Sequence, residues 1–193
     1  MPFDAAYYQR YYYDRRTAVT SRVEMRARAR LIASCVTYLG LPVARILDAG
    51  CGVGLLRTPL LRAFKRARYT GLETSDYLCK RYGWMPGLIE SYRSAERYDL
   101  VICYDVLQYL TAPAARRAIA NLARLCRGAL YFGALTREDW RENCDRRRTH
   151  RVPGLRSGGW YRRALSPAFR PIGCGMWVKR GAPLTLWNLD ALA

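Results

Sequence analysis

Apolar and polar positions along the chain follow two rhythms. From about residue 20 to Gly40 the rhythm is helical. Leu31, Ile32, Cys35, Tyr38 and Leu39 share one face, and Arg22, Arg26 and Arg30 step along another as a solvated row. Gly40-Leu41-Pro42 closes that helix. Ile46 and Leu47 read as the end of a short buried strand, and Leu55 to about Ala67 as an amphipathic helix with Leu56, Leu60, Leu61 and Phe64 inward. Residues 67–73 predict a second strand ending in Glu73, and Ser75 caps a short helix running to Gly83. Gly87–Glu90 predicts a third strand, and the apolar run from Tyr98 a fourth. Thr111 opens a helix with Pro113 in its first turn, Gly128 after its end, and Ala115, Ile119, Leu122 and Cys126 inward. Residues 129–135 make a fifth strand, and Trp160–Leu165 a last helix. Residues 171–180 and 184–190 read as two strands joined by Gly181-Ala182-Pro183. Strands alternating with helices at this spacing predict an α/β fold with a parallel sheet covered on both sides.

Composition narrows the setting. The chain has 193 residues, of which 51% are hydrophobic, which suits one folded domain. No apolar run approaches a membrane span, so no membrane insertion is expected, and Met1-Pro2-Phe3-Asp4 lacks the order of a signal peptide. Seven cysteines show no Cys-x-x-Cys pair and His150 is the only histidine, so neither a zinc site nor a disulfide framework is expected. Reduced thiols in a cytoplasm fit that pattern. The net charge of +18, nearly all arginine, points to nucleic acid, an anionic surface or an acidic substrate.

The chemistry concentrates between the first strand and its helix, in Asp48-Ala49-Gly50-Cys51-Gly52-Val53-Gly54. Glycines let the backbone turn sharply and let a ligand approach. A dinucleotide fingerprint would need glycine where Leu55 stands, and a P-loop would need Gly-Lys-Ser/Thr, which is absent. Asp48 at the entrance would repel a pyrophosphate and suit a cation such as an ammonium. Glu73 stands 19 positions after Gly54, near the roughly 20-residue offset of ribose-binding acids.

The glycine segment resembles the first motif of the class I S-adenosylmethionine-dependent methyltransferases. Tyr98–Leu110 is similar to that family's fourth-strand segment, although Tyr109 stands where many relatives carry histidine. The resemblance covers about residues 40–135. It implies a Rossmann-like, seven-stranded, mostly parallel sheet with helices on both faces and a C-terminal antiparallel hairpin. It also implies S-adenosyl-L-methionine as donor, S-adenosyl-L-homocysteine as product, and no metal. On it, Gly50, Cys51, Gly52 and Gly54 form the donor turn, with Asp48 near the ammonium. Glu73 holds the ribose, Thr74 and Ile89 flank the adenine with Glu90 nearby, and Cys103, Tyr104 and Asp105 line the floor near the sulfonium.

A base is needed only for a protonated acceptor. Asp105 is the first candidate, with a structural or donor-contacting role equally open; Tyr109 and Tyr11, Tyr12 and Tyr13 follow, and His150 reads as surface. The tyrosines of residues 1–20 suit either a packed arm or a lid over the donor. Between Arg137 and Arg163, arginines including Arg151 interleave with Trp140, Trp160 and Tyr161, which suits substrate recognition or a solvated loop. The chain therefore divides into an arm and helix (1–40), a donor-binding core (41–135) and a substrate segment with the hairpin (136–193). The acceptor is expected to be a small molecule, an anionic one included. RNA, or a non-catalytic donor-binding role, stays open.

Overall fold

The computed structural model describes residues 3–150, 152 and 154–190; Arg151 and the chain's first two residues lie outside them. Seven strands form one sheet in the order β3-β2-β1-β4-β5-β7-β6. These are β1 (Arg45–Ala49), β2 (Arg68–Glu73), β3 (Met85–Pro86), β4 (Tyr98–Tyr104), β5 (Cys126–Gly133), β6 (Phe169–Gly173) and β7 (Met176–Lys179). β1 to β5 pair in parallel, and β7 is antiparallel to both β5 and β6. The order reverses between β1 and β4, which opens a crevice at the carboxyl ends of those strands.

The central strands are buried on both faces, so they read as continuous apolar runs. In β4, Val101 and Cys103 join one core while Leu100 and Ile102 join the other. The first core is closed by α5 (Ala112–Leu125) and α7 (Gly158–Leu165) through Ala118, Ile119, Leu122, Tyr161 and Leu165. The second is closed by α2 (Arg22–Tyr38) and α3 (Arg57–Ala63) through Ala29, Ile32, Val36 and Leu60. Ser21, Ser75 and Thr111 each accept a backbone N–H at a helix start, for α2, α4 (Asp76–Tyr82) and α5.

Several boundaries differ from the pattern. The stripe of α2 that is buried is Met25, Ala29, Ile32 and Val36; Tyr38 is 70% exposed, and Arg22, Arg26 and Arg30 face solvent. The third strand falls at Met85–Pro86, not 87–90. Pro86 has no N–H to extend the ladder, and Gly87 N–H closes onto Glu73 O at 2.9 Å before a turn at 88–92. Gly128 lies within β5, not after α5: a Cβ there would meet Asp99 O at 2.4 Å. The hairpin forms inside 169–179, because Gly173, Cys174 and Gly175 all take positive φ and reverse the chain there; residues 184–190 form no strand. A short helix, α6 (Arg137–Glu142), starts on a capping box of Thr136 and Asp139.

Candidate active site

The turn after β1 is built by glycines with three different jobs. Gly50, at φ +82°, donates its N–H to Leu72 O (2.8 Å), and a Cβ on it would overlap Val106. Gly54 is pressed by the Trp84 ring, whose Nε1–H donates to Gly52 O at 2.9 Å. A Cβ on Gly52 would meet nothing within 4 Å and would project into open space. The turn is thus shaped from behind by Val106 and Trp84 and left clear in front.

Glu73, at the tip of β2, is buried and accepts the N–H groups of Gly52 (2.8 Å), Thr74 (2.8 Å) and Ser75 (3.1 Å). Those bonds fix its carboxylate against the glycine turn. Asp48 is buried on β1 and accepts the Tyr69 hydroxyl; burial pushes its carboxyl up to about 7. Asp105 follows β4 in the left-handed region at φ +57°, held by its N–H bond to Gly133 O (2.9 Å). Burial raises its carboxyl, and neighbouring Arg28, Tyr104 and Gln108 draw it part of the way back. Arg28 reaches in from α2, donating to the Tyr131 hydroxyl (2.9 Å) with its guanidinium 4.0 Å from the Tyr104 ring centre.

Two cavities meet at this turn, sharing Tyr7, Tyr12, Gly50, Gly52, Tyr104, Asp105 and Tyr109. The smaller, about 120 Å³, runs along Glu73, Thr74, Ile89 and Glu90. The larger, about 650 Å³, runs past Asp48 and Cys51 to Arg28, Arg148 and His150. The N-terminal arm lines part of both. Its helix α1 (Ala5–Tyr8) and the following turn at Gln9–Tyr13 supply Tyr7, Tyr8, Tyr11 and Tyr12. Phe3 O accepts the Ser75 hydroxyl, and the Tyr7 and Tyr109 hydroxyls meet at 3.1 Å, which fastens the arm to the core.

Asp48, Gly50, Cys51, Gly52, Tyr104, Asp105, Tyr11, Tyr12 and Tyr109 therefore line the larger cavity, and Glu73, Thr74 and Ile89 the smaller. Gly54, Cys103, Tyr13 and Trp140, also named from sequence, lie outside both. Gly54 is spaced for Trp84, and Cys103 is fully buried in the core below. Tyr13 turns away to the Tyr82 hydroxyl (2.9 Å), and Trp140 sits beside Arg146. His150, read as surface, instead forms part of the cavity wall. Arg28, Trp84 and Gln108 carried no local signal: each reaches the site through the tertiary fold. Among the described residues no cluster of three or more His, Cys, Asp or Glu could hold a metal, and no helix is long and apolar enough to cross a membrane.

The order reversal, the glycine turn and the acid at the tip of β2 lie together at the crevice where open α/β sheets hold their ligands. Residues 47–128 match a methyltransferase-domain model. A stretch of 102 residues is 35% identical to the malonyl-(acyl-carrier protein) O-methyltransferase of Anoxybacillus flavithermus, covering 47% of this chain and 39% of that protein. Magnesium protoporphyrin IX methyltransferase from Synechocystis PCC 6803, solved with bound SAM, superposes with a TM-score of 0.56 at 22% identity, over 81% of this chain and 80% of that one. The plantazolicin methyltransferase BpumL, solved with a desmethyl analogue and SAH, gives a TM-score of 0.61 at 14% identity, over 80% and 66%. The chain has the Rossmann-like fold of these methyltransferase structures, and its residues 47–128 are similar to a methyltransferase domain. It spans less than half the length of the curated relatives it matches.

Proposed function

We propose that the protein transfers the methyl group of S-adenosylmethionine to a small-molecule acceptor held in the larger cavity. The observation that carries this reading is the continuous cleft, with the Glu73 carboxylate at one end and Asp105 at the junction with the larger chamber. The residues fit the donor. Gly52 leaves the space a side chain would fill, and Ile89 and Leu110 offer apolar walls for an adenine beside the Glu73 carboxylate for a ribose. Asp48, its carboxyl raised by burial, would regain its charge against an ammonium.

The donor supplies a methyl group already activated on a sulfonium. The chain's part is then mainly orientation, worth up to roughly 7–11 kcal/mol in favourable systems. Tyr7, Tyr12, Tyr104 and Tyr109 present rings around the junction, which suits a cationic centre. The arm acts as a lid that keeps water from that junction. Arg28 and Arg148 in the larger cavity favour an anionic acceptor. The named relative acts on a carrier-borne malonyl group, which is consistent with an acidic acceptor. Free thiols at all seven cysteines suit a cytoplasmic setting.

Calorimetry tests the donor half: wild type binds S-adenosylmethionine and Glu73→Ala does not, and equal binding by both would defeat the assignment. Radiolabelled donor incubated with cell extract tests the transfer, the product being sorted by size and nuclease sensitivity. RNA is the second reading, favoured by the net charge of +18. It requires nuclease-sensitive label and a log affinity for RNA that falls steeply with log salt.

A further inference from the structure

His150 stands in the wall of the larger cavity with Asp105, Tyr109 and Gln108. Three tyrosine rings surround its imidazole: Tyr7 at 5.7 Å, Tyr11 at 5.6 Å and Tyr109 at 6.0 Å between ring centres. Its Nδ1 is buried and makes no hydrogen bond among the described residues. That atom has no accessible surface, so the opposite nitrogen, Nε2, which makes no hydrogen bond among the described residues, is the one that can meet a ligand. The charged neighbour is Arg10, and the titratable ones are the phenols of Tyr7, Tyr11 and Tyr109. Burial and Arg10 both hold the imidazole below its usual range, which keeps it neutral near pH 7. Asp105 is the other candidate in that wall, its carboxyl raised by burial and only partly drawn back by Arg28, Tyr104 and Gln108.

Resting on the methyl-transfer reading, we propose that His150 is the catalytic base and that the acceptor atom is a hydroxyl oxygen. The hydroxyl oxygen bonds to the methyl carbon as the carbon–sulfur bond breaks, and that electron pair stays on sulfur. The hydroxyl proton passes to the neutral imidazole, and the imidazolium then releases it to solvent. Products are the O-methylated acceptor, S-adenosylhomocysteine and a proton.

The test uses the full chain, radiolabelled S-adenosylmethionine and the small-molecule fraction of a cell extract as the acceptor pool. The label is expected on oxygen. His150→Ala should lose about 10²-fold or more in rate while binding the donor as wild type does, and added imidazole should restore part of the rate. His150→Gln should lose the acidic limb of the wild-type pH–rate profile. Label on nitrogen, carbon or sulfur, or a His150→Ala rate equal to wild type, overturns the inference and leaves methyl transfer standing. No label from wild type in any fraction removes the transfer reading and this inference together. Independently of turnover, NMR titration of the chain's single histidine must find the ring neutral at pH 7; an imidazolium there overturns the proposal.

Discussion

Replacing Asp48 by asparagine should stabilise the protein while weakening its hold on the donor. The buried carboxyl is raised to about 7 against an ordinary value near 4, so the folded chain keeps a proton that the unfolded chain has released. Its contribution to stability is fully present below about pH 4 and is lost as pH rises through 7. The full difference corresponds to roughly 4 kcal/mol at pH 8, an upper bound for one buried group. Asparagine removes the charge and keeps an oxygen for the Tyr69 hydroxyl. Scanning calorimetry of both proteins from pH 4 to pH 8 reads the effect. Asp48→Asn should melt higher at pH 8 by on the order of 5–15 °C, and the gap should shrink towards zero at pH 4. Donor affinity should fall at least tenfold in the same variant. A melting difference independent of pH, or a less stable variant at pH 8, would refute the argument that an uncompensated buried carboxylate sits beneath the turn.

Gly52→Ala places a methyl in the open front of the turn at positive φ; it should cost about 1–2 kcal/mol of stability and abolish donor binding by calorimetry. Trp84→Phe keeps a ring against Gly54 and Gly71 but loses the bond to Gly52 O. It should cost about 0.5–1.5 kcal/mol in chemical denaturation and weaken the donor several-fold. Asn121 is buried and donates to Ile89 O (2.7 Å) and Tyr92 O (2.9 Å). Asn121→Ala should therefore destabilise by about 1–3 kcal/mol and loosen the turn after β3, seen as faster amide exchange at residues 89–92.

The sheet was legible because its central strands carry unbroken apolar runs and its helices carry amphipathic stripes and capping residues. The lining of the smaller cavity was legible for a related reason: Gly50, Gly52 and Glu73 are placed by backbone shape and by a spacing imposed by one βαβ unit. The edges were not. At Pro86 a missing N–H cut the strand short, and at 173–175 three left-handed residues turned the chain where Gly181-Ala182-Pro183 gave the stronger local signal. The larger cavity was harder still. His150 lies 45 residues beyond Asp105, in arginine-rich sequence, and meets Tyr7, Tyr11 and Tyr109 only through the folded arm. Tyr13 and Trp140 drew attention by composition alone, and their neighbours in space are Tyr82 and Arg146.

Three amides clamp the Glu73 side chain, so on the proposed donor assignment no rotor remains to freeze when a sugar arrives. Recognition at that edge becomes a matter of matching rather than adjustment. An analogue lacking one ribose hydroxyl would lose a bond to a carboxylate that cannot move to compensate. Deoxygenated donors should therefore be rejected far more sharply than those altered on the purine.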